Sequence, residues 1–309
     1  MTTALMRTVE QGRDARLSRI ALALFSEPGE TIVGTLIAQY GPTTTARIAL
    51  GLEEGSSNDA DMIAVFRQRV TPRVNDVELE RAHQATETIG ASVLIPGDPE
   101  WPGALSDLGV HQPIALWTRG RAELLAGPLT NRVAIVGSRA ATDYGEHVTM
   151  EIAAALSERG RTIVSGAAYG IDAIAHRATL AAGGHAVAIL AGGVDRFYPA
   201  GNDALLQRIA ESGLIVSELP PGASPTKWRF LQRNRLVAAV SAVTVVIEAG
   251  YRSGSLNTAG HAHGLGRPVG AVPGPVTSAA SAGCHRLIRE HVAELVTNAD
   301  EIDQLIITA

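Results

Sequence analysis

The side chains in this chain best suited to chemistry stand just after short apolar runs that end in glycine or a small polar residue. Gly137, Ser138 and Arg139 follow the run 133–136, which sets a hydroxyl and a guanidinium where backbone N–H groups and the start of a following helix favour an anion. Phosphate is the natural guest. The turn lacks the G-x-G-x-x-G spacing of a dinucleotide site, so no nicotinamide cofactor is expected. A second turn runs Ser165-Gly166-Ala167-Ala168-Tyr169-Gly170-Ile171-Asp172, and its two glycines and small neighbours let backbone approach a nucleotide or phosphodiester closely. Asp172 and His176, four apart, could form an acid/base pair; a first-turn acid beside an unrelated imidazole is the favoured reading. Beyond Glu248, the hydroxyls of Ser253, Ser255 and Thr258 flank Gly254 around one expected helix start, and ordinary capping accounts for Ser255 alone.

The densest basic cluster is Lys227-Trp228-Arg229-Phe230-Leu231-Gln232-Arg233-Asn234-Arg235. Cations for a phosphate backbone interleaved with rings for bases are what a sequence-tolerant single-strand groove needs. The alternative is an amphipathic helix with Trp228 and Phe230 in the core and its arginines solvated. His261 and His263 are two apart and would point to different helix faces, and Cys284 beside His285 has no further soft ligands, so no metal site is expected. Neither a G-x-S-x-G nucleophile elbow nor a Walker P-loop occurs.

These turns need a scaffold, and the spacing of apolar residues supplies one. Residues 133–137, 162–166, 186–190, 214–218, 243–248 and 268–272 are β-rich and apolar on both faces, and helical stretches separate them. That pattern predicts an α/β fold, a doubly wound, mainly parallel, Rossmann-like sheet whose ligands bind beyond the carboxyl ends of the strands. Ahead of it, Leu17, Ile20, Ala21, Leu24 and Phe25 mark one helix face. A second helix is expected over 31–40, burying Leu36, Ile37 and Tyr40 and stopping at Gly41-Pro42; a third over 60–70 offers Met62, Ile63, Val65, Phe66 and Val70. The resulting division is a small helical domain over 1–75 and the α/β domain over 76–309, with 71–78 read as linker and 92–117 as strand and turn material.

A net charge of −5 argues against indiscriminate polyanion binding, so any nucleic-acid site must be local. Lys227 is the one lysine, which leaves phosphate contacts to guanidinium groups. A single cysteine rules out an internal disulfide or thiolate cluster, and the absence of a signal segment or an 18-residue apolar window leads to the expectation of a cytoplasmic protein with no membrane insertion.

Taken in order, Val-Gly-Ser-Arg at 136–139, Ser-Gly-Ala-Ala-Tyr-Gly-Ile-Asp at 165–172 with Ala175-His176, and Gly-Gly-Val-Asp at 192–195 with Tyr198-Pro199 resemble the DprA/Smf DNA-processing family. Ser217-Glu218, Arg233-Asn234-Arg235, Ser253-Gly254-Ser255 with Thr258-Ala259, and Val272-Pro273-Gly274 keep the same order, and the likeness reaches back to Pro96-Gly97-Asp98 with Trp101-Pro102. The resemblance implies a helical domain like a sterile alpha motif in front of an extended Rossmann-like domain. It also implies binding of single-stranded DNA in a strand-end pocket, homodimerisation, and loading of the RecA recombinase during natural transformation in competent cells. On this reading the phosphate-binding residues are Gly137, Ser138, Arg139, Ser165, Gly166, Tyr169, Gly170, Lys227, Arg233, Asn234, Arg235, Ser253, Gly254, Ser255 and Thr258, none of them catalytic.

The chain departs from the family pattern in places. Tyr169 stands where many relatives have a cation, Phe230-Leu231 replaces Phe-Pro, His285 replaces asparagine, and His291-Val292 lies where Gly-Ala is usual. Many relatives continue into a winged-helix domain, which is expected to be missing here because the sequence stops at Ala309. The function expected is non-catalytic DNA binding in recombination. The rival is a nucleotide-processing enzyme of the nucleoside monophosphate phosphoribohydrolase type, with Glu248 as acid/base or ribose-binding group; the Ser253–255 turn does not match the Pro-Gly-Gly-x-Gly-Thr turn of such enzymes.

Overall fold

A computed structural model describes residues 2–308. The chain packs as two compact units. The first runs to Thr118 and adds Gly192–Arg196 and Ser217–Ser224; the second takes Arg119–Ala191, Phe197–Val216 and the chain from Pro225 onward.

Helices dominate the first unit: α1 (Ala4–Glu10), α2 (Ala15–Phe25), α3 (Thr31–Ala49), α4 (Ala60–Val70) and α5 (Asp76–Thr88), followed by an antiparallel strand pair, β1 (Ser92–Leu94) and β2 (Leu116–Gly120). Asp14 caps α2 by accepting from the Leu17 amide, and Leu17, Ile20, Ala21 and Phe25 are buried while Leu24 is half-buried. The helix expected to stop at Gly41-Pro42 instead kinks there. Gly41 takes φ 77° and ψ 164°, and Pro42, whose missing N–H costs nothing at the first position of a helix, starts a further stretch to Ala49. In α3, Leu36 is buried and Ile37 and Tyr40 are half-buried; in α4, Ile63, Phe66 and Val70 are buried, Met62 is half-buried and Val65 is exposed. The segment read as linker holds a 3₁₀ turn at Thr71–Arg73 and the first turn of α5, capped by Asn75. Leu79, Ala82 and Thr86 are the buried face of α5, too few apolar positions to declare a helix by periodicity. The boundary expected at 75/76 thus falls within the first unit, at the N-cap of α5.

The second unit is the α/β part. Its elements are β3 (Arg132–Val136), α6 (Asp143–Glu158), β4 (Thr162–Ser165), α7 (Ile171–Ala181), β5 (Ala186–Leu190), α8 (Asp203–Ser212), β6 (Leu214–Ser217), α9 (Lys227–Ala239), β7 (Val243–Val246), α10 (Ser255–Gly264), β8 (Val269–Ala271), α11 (Ala282–Arg289), β9 (Glu294–Leu295) and α12 (Ala299–Thr308). The strands lie in the order β6-β5-β4-β3-β7-β8-β9, and β3 runs parallel to β4 and β7, β4 to β5, β7 to β8 and β8 to β9. From β3 the chain works outward to β6, then returns across the sheet and builds β7 to β9 on the other side. The order reverses between β3 and β7, and in a doubly wound sheet that reversal opens a crevice at the strands' carboxyl ends. Val133, Ile135, Ile163, Val243 and Val245 form a core with Ile152 and Leu156 of α6 and Ile302 of α12. The doubly wound α/β fold expected from the apolar runs is the fold observed. No helix among the described residues is long and apolar enough to cross a membrane.

His176 on α7 is wholly buried, and neither ring nitrogen has a hydrogen-bond partner among the described residues. Burial, reinforced by the Arg233 charge, pushes its pKa down from 6.5 to about 3. The unfolded chain takes up a proton that the folded chain refuses, so stability is full above about pH 6.5 and falls as pH drops toward 3. Urea unfolding should show about 2 kcal/mol less stability at about pH 5 than at neutral pH from this group. The variant His176→Leu should lose that part of the pH dependence; an unchanged difference would assign it to other groups.

Candidate functional site

A cavity of about 900 Å³ opens at the carboxyl ends of the strands, where the order reverses. Three loops and one helix build it. The loop after β3 brings Gly137, Ser138 and Arg139; the loop after β4 brings Gly166, Ala168 and Asp172; the turn after β7 brings Gly250, Arg252, Ser253, Gly254, Ser255 and Thr258. Helix α9 supplies the remaining wall with Lys227, Phe230, Leu231, Arg233 and Asn234, and Tyr198 closes it from the chain after β5.

Backbone bonds fix the central loop. The Ser138 N–H donates to the Glu248 carbonyl at 2.7 Å, and the Ser138 carbonyl accepts from the Ile171 N–H at 3.1 Å, so one residue ties the end of β7 to the start of α7. Its hydroxyl is engaged locally, donating to the Ala140 carbonyl at 2.9 Å. Gly170, with φ 72° at the N-cap of α7, lets this happen: a Cβ there would sit 2.3 Å from the Ser138 carbonyl oxygen. Arg139 is exposed and lays its guanidinium over the Phe230 ring, 5.1 Å from the centroid. Tyr198, half-exposed, meets Phe230 in a tilted contact with centroids 5.8 Å apart.

Arg233 is buried beneath the cavity. It donates to the Gly166 carbonyl at 2.6 Å and to the Ile189 carbonyl, and so joins the ends of β4 and β5 to α9. A Cβ at 166 would come within 2.4 Å of this guanidinium, so any larger residue there would have to displace it from its carbonyl partners. Burial lowers the Arg233 pKa to about 10, the Asp172 charge resists the fall, and the group stays cationic at neutral pH. Burial pushes the Asp172 carboxyl up, opposed by the Arg233 charge and by hydrogen bonds that its carboxylate accepts from the Ala168 and Gly166 amides. Asp172 thus serves as the first-turn acid of α7 that holds the loop. No bond joins it to His176.

Asn234 bridges α9 to the next turn, donating to Asn257 Oδ1 at 3.1 Å and to the Gly254 carbonyl at 3.4 Å. In that turn the Ser253 and Ser255 hydroxyls lie 2.8 Å apart. Glu248 does not line the cavity: it is buried and accepts from the Thr142 hydroxyl at 2.6 Å and the Thr142 amide at 3.0 Å.

Of the residues singled out from sequence, Gly137, Ser138, Arg139, Gly166, Lys227, Arg233, Asn234, Ser253, Gly254, Ser255 and Thr258 line this one cavity. Ser165, Tyr169, Gly170 and Arg235 stand outside the lining. Ser165 is buried with its hydroxyl donated to the Ile135 carbonyl, and Arg235 is buried with its guanidinium on the Gln232 carbonyl. Tyr169 is exposed, and its hydroxyl accepts from the Gly201 amide. Trp228 is exposed and Phe230 half-buried, which corrects the core alternative for the aromatics; Arg233 and Arg235 are buried, which corrects the solvated alternative for the arginines. Arg252 and Tyr198 join the lining without having been singled out as binders. An arginine directly before the Ser253 hydroxyl was the available sign for the first; the second had none, since only the fold brings it to α9. Among the described residues no group of His, Cys, Asp and Glu is arranged to hold a metal ion. Cys284 is buried, with its thiol pushed up to about 12 by desolvation.

Four cations, Arg139, Lys227, Arg233 and Arg252, line the cavity against one carboxylate, Asp172, in a chain whose net charge is −5. The fold and this crevice define a Rossmann-like protein with a locally electropositive strand-end site. A family model described as DNA recombination-mediator protein A matches residues 92–306. A Mycobacterium tuberculosis chain carrying the DNA processing protein DprA name is 46% identical over 303 residues, spanning 94% of this chain and 74% of its own length. The X-ray structure of DprA from Streptococcus pneumoniae superposes with TM-score 0.74 at 30% identity, covering 93% of this chain and 96% of that one. A DprA structure from Helicobacter pylori, described for its single-stranded DNA binding mode, superposes with TM-score 0.63 at 32% identity, covering 71% of this chain and 96% of that one. The chain belongs to the DprA/Smf family of DNA-processing proteins.

Gly170→Ala puts a Cβ against backbone in a conformation that side chains avoid, and should cost about 3 kcal/mol in urea unfolding. A loss below about 1 kcal/mol would mean that the Ser138 loop moves freely and is not held by this contact.

Proposed function

We propose that the strand-end cavity binds single-stranded DNA and that the protein acts in DNA processing without breaking a bond. The observation that carries this reading is the concentration of four cations and two aromatic rings around one crevice on an otherwise acidic chain. Arg139, Lys227 and Arg252 neutralise phosphates, Phe230 holds the Arg139 guanidinium over its ring, and the exposed Tyr198 ring offers a face to an unpaired base, worth about 1 to 3 kcal/mol per stacked base. A duplex keeps its bases stacked inside and gains nothing from that ring. The single-strand binding described for the Helicobacter pylori relative supports the same ligand here. Family membership supports a homodimer that aligns two cavities along one strand and hands it to the RecA recombinase in natural transformation. The phosphoribohydrolase reading depends on Glu248, whose carboxylate is occupied by Thr142 and does not line the cavity.

Fluorescence anisotropy of a labelled oligothymidine against a duplex of equal length, across a salt series, tests the proposal. The expected result is tighter, salt-sensitive binding of the single strand. Arg139→Ala and Lys227→Ala should each weaken it and lower the log–log salt slope by about 1. Unchanged affinity and slope in both variants would move the site elsewhere.

A further inference from the structure

The wall of the cavity at the start of α10 is built differently from the rest. Arg139 and Lys227 are exposed cations at its mouth, whereas the α10 wall consists of hydroxyls and a helix start. Ser255 is the first residue of the ten-residue helix α10; its amide donates to the Ser253 hydroxyl at 3.4 Å, and the Leu256 and Asn257 amides donate to the Ser253 and Gly254 carbonyls, so the helix start contributes its dipole and its hydroxyls, not free N–H groups. The Ser253 and Ser255 hydroxyls share one hydrogen at 2.8 Å, which leaves the accepting partner's own proton to donate elsewhere. Thr258 lies three residues on, on the same helix face as Ser255. It lines the cavity at only 2% exposure, and no hydrogen bond to its hydroxyl is formed among the described residues. A hydroxyl that opens only onto the cavity and makes no bond among the described residues is free to meet a ligand oxygen there.

The sign of the field at this wall favours an anion. Arg252 lines the cavity two residues before Gly254, and the N-terminal end of α10 adds the positive end of its dipole. The cavity's one carboxylate, Asp172, belongs to the loop after β4, and β3 separates β4 from β7. That places it about two strand spacings, or roughly 10 Å, along the sheet.

We propose that this wall, formed by Ser253, Ser255, Thr258 and the start of α10, is a seat for a terminal phosphate monoester, so that the protein prefers a single strand carrying a phosphate at its end. The inference rests on the single-strand reading above. A diester in the middle of a strand presents two free oxygens and must let the chain leave in both directions. A terminal phosphate presents three free oxygens and about 1.5 to 2 negative charges, and has chain on one side only. Three hydroxyls ending in a residue as deeply placed as Thr258 match the second ligand.

The test uses the whole protein and four labelled oligothymidines of one length: hydroxyl at both ends, phosphate at the 5′ end, phosphate at the 3′ end, and phosphate at both. Anisotropy at moderate salt should show one phosphate-ended strand binding about tenfold tighter than the hydroxyl-ended strand. Whichever end carries the advantage gives the direction in which the strand lies. Thr258→Val and Ser255→Ala should each bring the affinity ratio close to one. Because the Thr258 hydroxyl has no protein partner, Thr258→Val should not lower the Tm, as it would if the residue were only structural. Equal affinity for all four strands would overturn the terminal seat and leave the single-strand reading standing. A phosphate advantage that survives in both variants would also overturn it, and failure of every strand to bind would overturn both readings.

Discussion

A single buried cation holds the site together. Arg233 is taken out of water and gives its N–H groups to the carbonyls at the ends of β4 and β5, with the Asp172 charge acting on it. Burying a guanidinium is unfavourable unless its donors are satisfied, so the energy of α9 is lowest only where those carbonyls are presented in the correct place. The consequence is geometric: α9, the β4 loop and the β5 end are tied to one another through a single side chain. The same need explains Gly166, since any side chain there would occupy the space of the guanidinium.

Around that tie the sheet order supplies the crevice. The reversal between β3 and β7 leaves the loops after these two strands side by side with no crossover helix between them, and Ser138 closes the gap through backbone bonds to Glu248 and Ile171. The walls then divide the chemistry. Exposed cations stand at the mouth, rings on the α9 side, and hydroxyls at the start of α10. A net charge of −5 is compatible with an anion site under this arrangement, because field at a crevice depends on the few charges lining it and is screened from the rest over about 8 to 10 Å.

Much of this was legible in the residues. Apolar runs of four to six residues gave β3 to β8 to within one or two residues, because a strand buried on both faces has no polar alternation to confuse it. The turns after β3, β4 and β7 were picked out by glycine and hydroxyl content alone. Other features were not legible. Helix α5 was hidden because a polar helix with one narrow buried face has almost no periodic signal, and the α3 kink read as an end because Gly-Pro ends helices more often than it bends them. Arg233 and Arg235 look alike in sequence. Both are buried, yet the first reaches under the cavity and the second donates to Gln232 on its own helix, a difference set by a rotation of about 200° along the helix.

The sequence by itself determined the fold class, the family, and the three turns from which an anion site would be assembled, since these depend on local preferences and on the order of motifs along the chain. Tertiary structure alone decided which of those residues meet. It set Ser165 and Arg235 to structural bonds, left Tyr169 against Gly201 outside the lining, and brought Tyr198 and Arg252 into it. The physical reason is that a side chain's availability depends on whether packing satisfies its donors first, and that balance is struck between residues far apart in the chain.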